Sequence, residues 1–115
     1  MDMQSWQTGQ VLVLRPLAKR LDSASSSEFK NKIVDFIFQG YLHFALDMSE
    51  IEFMDSSGLS ALLSSIKTLQ GRGRLVLFSV GPNLAQLFAL TKLDRTVVQI
   101  YPDQQSALQS LASDG

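Results

Sequence analysis

The spacing of apolar residues changes period several times along the chain. Val11-Leu12-Val13-Leu14 is a run of β-formers closed by Arg15-Pro16-Leu17, and it reads as a strand. Met3 to Trp6 pairs with it through Gln7-Thr8-Gly9-Gln10, which predicts an N-terminal hairpin. Helical spacing then takes over. Phe29, Ile33, Phe36 and Ile37 form one stripe, Ser25 and Glu28 have the separation of a capping box, and Gly40 is a suitable stop. Tyr41 to Leu46 is an apolar run of strand length, and Ile51 and Phe53 resume an alternating pattern after Asp47-Met48-Ser49-Glu50. Beyond Gly58, Leu59, Leu62, Leu63, Ile66 and Leu69 recur at helical spacing, with Ser60, Ser64, Ser65 and Lys67 expected on the polar side and Gly71 as the stop.

Leu75-Val76-Leu77-Phe78 is continuously apolar, as expected of a strand covered on both faces. Gly81-Pro82-Asn83 opens a helix with Leu84, Leu87 and Phe88 turned inward. Thr96 to Tyr101 reads as a further strand, and Pro102-Asp103 opens a last helix carrying Ala107, Leu108 and Leu111. Strands alternating with helices predict an α/β layer fold over 1–115 as a single domain. Its sheet is expected to be mixed and mostly parallel, with the hairpin at its start and about four helices. The predicted core is Leu59, Leu62, Leu63, Ile66, Leu75, Leu77, Leu87, Phe88 and Val98. Binding in such folds gathers in loops beyond the carboxyl ends of strands. Here these are Asp22 to Ser25, Asp55 to Gly58, and Gly81 to Asn83.

Composition removes several classes of function. There is no cysteine, so a disulfide framework, a thiolate nucleophile and a cysteine metal site are excluded, and a reducing cytoplasm suits the chain. A net charge of −1 with interspersed signs offers no footprint for nucleic acid. No apolar run approaches the ~20 residues of a membrane span, and the first residues lack the basic and apolar regions of a signal peptide. His43 is the sole histidine, so it has no second imidazole or thiolate with which to hold a metal. Ser56 has no Gly-x-Ser-x-Gly elbow around it, which argues against a hydrolase. Gly71-Arg72-Gly73-Arg74 follows a helix and precedes a strand, the wrong context for a phosphate loop, and reads as a turn. Trp6 reads as a hairpin packing residue, and Ser23-Ala24-Ser25-Ser26-Ser27 as a solvated helix start.

Asp55-Ser56-Ser57-Gly58 joins an apolar strand end to a strong amphipathic helix. Helix starts leave N–H donors unpaired, and the same residue types serve ordinary capping and anion tolerance. One side chain can cap while its neighbour faces solvent. The stretch Phe53-Met54-Asp55-Ser56-Ser57-Gly58-Leu59 resembles the phosphorylation-site motif of bacterial anti-sigma factor antagonists, the STAS domain family. His43-Phe44-Ala45-Leu46-Asp47 resembles the family's central strand. Gly81-Pro82-Asn83-Leu84 with Leu87-Phe88 resembles its later strand-to-helix loop, and Leu21-Asp22 the end of its early loop.

The resemblance, which runs from about Gln10 to Leu111, implies a regulatory binding protein of the cytoplasm, not an enzyme, with no cofactor. It implies that the unphosphorylated form binds an anti-sigma factor that is also a serine kinase and so frees a sigma factor. The kinase phosphorylates Ser56, and a serine phosphatase resets the switch. The implied partner surface comprises Asp22, Ser25, Asp55, Ser56, Ser57, Gly58, Gly81 and Asn83. One departure bears on partner choice: where the family commonly has a glycine before the Leu-Asp pair, this chain has Ala18-Lys19-Arg20. A second reading is a STAS module of a transporter ATPase complex or a signalling scaffold; the two serines favour the first, because a scaffold needs no acceptor hydroxyl. A third is an enzyme or nucleotide-binding protein. The lack of a nucleophile–base pair argues against catalysis, while the helix starts near Asp55 and Gly81 leave nucleotide binding open.

Overall fold

The computed structural model describes residues 1–112. Its order is β1 (Met3–Thr8), β2 (Val11–Pro16), β3 (Arg20–Leu21), α1 (Ser26–Phe38), β4 (His43–Asp47), β5 (Phe53–Met54), α2 (Ser56–Thr68), β6 (Arg74–Phe78), α3 (Pro82–Leu90), β7 (Ile100–Tyr101) and α4 (Gln104–Ala112). The main sheet runs β1-β2-β4-β6-β7. Only β1 is antiparallel, pairing Trp6 with Val13 across a turn in which Gly9 takes φ +62°. The other pairs are parallel, with Leu14 opposite Leu46 and Leu46 opposite Leu77.

Strand alternation sorts the core onto two faces. Leu12, Leu14, Phe44, Leu46, Leu75 and Leu77 turn to one side, where α1, α2 and α3 supply Phe29, Ile33, Leu62, Leu84 and Phe88. Val11, Val13, Ala45, Val76 and Phe78 turn to the other and meet Ala107 and Leu111 of α4, with Trp6 packed at the margin. Leu75 to Phe78 is thus covered on both sides, as its continuous apolarity predicts, and Trp6 packs as expected. All nine predicted core residues lie in or against the first cluster. On the α4 face Arg15 reaches the buried Asp47 at 2.8 Å and lies 5.1 Å from the Trp6 ring centre.

Local departures have identifiable causes. The capping box does not form. Ser25 makes no side-chain bond to the helix, because its hydroxyl accepts the Asp22 N–H at 3.2 Å, and Glu28 instead pairs with the N-terminal ammonium. The buried stripe of α2 is rotated from the predicted one. Gly58, Ala61, Leu62 and Ser65 are fully covered, while Leu59, Leu63 and Ile66 are half-buried. Ser65, expected on the polar side, is buried and donates to the Ala61 carbonyl at 2.8 Å.

The strand expected from Thr96 shrinks to Ile100–Tyr101, because Val97 and Val98 donate to the Leu93 carbonyl in a 3₁₀ turn over Leu93–Arg95. Val98 is buried all the same. Arg72 and Gly73 donate to the Leu69 carbonyl in the turn before β6. His43 begins β4, with its Nδ1 buried and unpartnered.

Candidate functional site

A two-stranded parallel sheet, β3 with β5, sets the geometry of the site, and its two-residue strands carry too little pattern to be read from sequence. It pairs Arg20 with Phe53 and Leu21 with Met54, which brings Asp22 and Asp55 out of the sheet side by side. The strands are joined by Glu52 and Phe53 N–H groups donating to the Lys19 carbonyl at 2.7 and 3.1 Å, and by the Asp55 N–H donating to the Leu21 carbonyl at 3.3 Å. Arg20 Nε meets Asp22 Oδ2 at 3.4 Å, and the Arg20 guanidinium lies over the Phe53 ring, 4.2 Å from its centre.

Asp55 is the N-cap of α2. One carboxylate oxygen accepts the Gly58 N–H at 2.9 Å, the pairing expected of a cap. The other accepts the Ser23 N–H at 3.2 Å, thirty-two residues away in sequence, and so ties the two loops together. Asp22 organises the neighbouring loop: its Oδ1 accepts the Ala24 N–H at 3.0 Å, and its carbonyl accepts the Ser25 and Ser26 N–H groups. Gly58 is needed for close approach, since a Cβ there would stand 2.0 Å from the Leu21 carbonyl oxygen.

With the capping done by Asp55, Ser56 opens the helix exposed to solvent, and its hydroxyl has no hydrogen-bond partner among the described residues. Ser57 is half-buried. The structure therefore ties Asp22, Ser25, Asp55 and Gly58 together by hydrogen bonds through Ser23, with Ser56 and Ser57 beside them in the first turn of α2. Gly81 and Asn83 stand apart from that unit. They start α3, which approaches β5, and Gly81 caps without a side chain while Pro82 occupies the first turn. Among the described residues no hydrogen bond joins them to the other two loops.

Sequence reasoning missed Ser23 as the tether to Asp55 and the Arg20–Phe53 stack; the basic Lys19-Arg20 pair in the early loop was the available signal. Asp47, at the end of β4, is the buried carboxylate among the described residues. Burial raises its pKa, but hydrogen bonds from Ser49 and Arg15 outweigh burial and hold it below the ordinary carboxylate value. No described helix is long and apolar enough to cross a membrane.

The STAS domain family profile matches residues 3–107. A protein of Thermotoga maritima, provisionally named an anti-sigma factor antagonist, is 29% identical over 103 residues, covering 88% of this chain and 89% of that one. Its crystal structure superposes with a TM-score of 0.89, covering 96% and 94% of the two chains at 26% identity. The anti-sigma-B factor antagonist of Listeria monocytogenes is 28% identical over 78 residues, covering 67% and 68% of the two chains. The Bacillus cell fate determinant SpoIIAA in its phosphorylated form is 25% identical with a TM-score of 0.69, covering 95% and 98%. With the family profile spanning most of its length, the chain belongs to the STAS domain family.

Proposed function

We propose that this protein is a phosphorylation-switched anti-sigma factor antagonist. Unphosphorylated, it binds an anti-sigma factor that is also a serine kinase and so frees a sigma factor; phosphorylated on Ser56, it lets go; and a serine phosphatase restores it. The observation that carries this reading is the division of labour at the start of α2. Asp55 satisfies the helix end, so Ser56 is left exposed with an unengaged hydroxyl. The names of the Thermotoga and Listeria relatives support the general role, and the Bacillus relative is known in a phosphorylated form.

The physics of the switch follows from position. Phosphorylation adds about −1.5 to −2 charges to a surface that must dry on association. The helix dipole offsets only ~0.3–1 kcal/mol at an exposed site, and Asp55 adds its own negative charge alongside. A loss of about 3 kcal/mol of binding free energy lowers affinity by roughly two orders of magnitude. Because Ser56 holds nothing in place, the change is one of surface and not of fold.

The test is phosphopeptide mapping after incubation with ATP and each purified anti-sigma serine kinase of the source organism, with partner affinity measured before and after. Phosphate on Ser56 together with a hundredfold weaker complex is the expected result. Phosphate confined to Ser57, or an undiminished complex after Ser56 is modified, would sink the mechanism.

A further inference from the structure

Beside Ser56, the charged groups fall into two kinds. The carboxylates are engaged with the backbone: Asp55 by Gly58 and Ser23, Asp22 by Ala24. Arg20 is different. Its side chain is 62% exposed, its Nε meets Asp22 at 3.4 Å, and its two terminal nitrogens have no partner among the described residues. Beneath it Phe53 is 42% exposed. Neither side chain is required to join β3 to β5, because backbone bonds to the Lys19 and Leu21 carbonyls already do so. An exposed aromatic residue thus stands on the strand that leads directly into α2, stacked on one side by an arginine with free donors.

From this we infer that Arg20 and Phe53 form the anchor that selects the kinase partner at the switch surface, an inference that rests on the reading given under Proposed function. The partner chemistry is an apolar side chain laid against the open part of the Phe53 ring and flanked by a carboxylate that takes the guanidinium fork. Three features support this. Aromatic and arginine side chains dominate the few residues that carry interface affinity. The planar fork of arginine matches a carboxylate at two points. The stack lies close to Ser56 along the chain, with only Met54 and Asp55 between Phe53 and that exposed serine. Stacking on Phe53 also holds the arginine stem, so little motion is lost when the fork closes on its acceptor.

The experiment measures binding of each purified anti-sigma serine kinase of the source organism to the unphosphorylated full chain and to Phe53→Ala, Arg20→Glu and Arg20→Lys. Amide spectra and melting temperature of each variant serve as the fold control. Phe53→Ala is expected to weaken the complex by about tenfold or more. Arg20→Glu should slow association and reverse its salt dependence. Arg20→Lys should recover the association rate but not the full affinity, since it keeps the charge and loses the fork. Each of these three results supports the anchor. A natively folded Phe53→Ala and Arg20→Glu pair that bound the kinase as the unaltered chain does would overturn it while leaving the functional reading intact. An unaltered chain that bound none of the kinases would overturn both.

Discussion

The starts of α2 and α3 occupy comparable places, each immediately beyond a strand, and they are held in opposite ways. At α2 a charged cap bonds forward to Gly58 and sideways to Ser23, and a glycine lets the Leu21 backbone press against the helix. At α3 the cap is Gly81, with no side-chain bond; Pro82 needs no N–H acceptor, and a Cβ at Gly81 would meet nothing within 4 Å. Both termini satisfy the helix, but only the first also fixes a second loop. The difference separates the jobs of neighbouring residues: where the cap is provided by Asp55, the next side chain is released to be a surface group.

Substitution of the two glycines breaks this contrast most sharply. Gly58→Leu should destabilise the domain by about 3 kcal/mol, the upper range for overpacking, because backbone stands where its Cβ must go. Gly81→Ala should stay within about 0.5 kcal/mol. Urea unfolding of the pair is decisive: equal midpoints would show that the α2 start is no more tightly held than that of α3.

Asp55→Ala comes next in size. It removes a cap and the Ser23 tether together, and a loss of about 1–2 kcal/mol is expected. Faster amide exchange should appear at both Ser23 and Gly58; faster exchange at Gly58 alone would mean that the cross-loop bond contributes nothing.

A pH series adds a third probe, directed at the sheet and away from both helix starts. The Asp47 carboxyl sits below its ordinary value because Ser49 and Arg15 donate to it. Its contribution is therefore complete above the unfolded-state value near ~3.9 and is lost as pH falls through the lower folded-state value. Asp47→Asn should lower stability at neutral pH and flatten that acid slope; an unchanged slope would place the acid sensitivity elsewhere.

The smallest effect belongs to Ser56→Ala. Its hydroxyl holds nothing, so stability should move by less than about 0.5 kcal/mol. A larger drop in melting temperature would reveal a capping role that the geometry assigns to Asp55.

Long elements were legible because their apolar spacing is repeated. β2, β4, β6 and all four helices were found, and the segment around Ser56 was placed at a helix start. What escaped was whatever depends on two residues or on a neighbour distant in sequence. The strands Arg20–Leu21 and Phe53–Met54 are too short to show alternation, yet they bring the first two loops together. Ser25 and Glu28 have capping-box spacing, but stronger partners, Asp22 and the N-terminal ammonium, took each away. Ser65 reads as polar by type, while its hydroxyl is satisfied inside its own helix and the residue is buried. The grouping of the Asp22 and Asp55 loops was anticipated from the fold class; among the described residues no hydrogen bond adds Gly81 and Asn83 to that group, and α3 approaches β5 as a separate element.

The sheet order also sets a timetable for assembly. β1 and β2 meet across a tight turn, so the hairpin closes a short loop, whereas β2 with β4 and β4 with β6 must each wait for an intervening helix and loop. Loop closure over such distances slows folding more than it weakens the final state. As the chain leaves the ribosome the hairpin is available before any parallel partner has been made, and it can wait as a template edge. Substitutions at its turn should then alter the folding rate strongly, while those in β7, the last strand in the chain, should act mainly on unfolding.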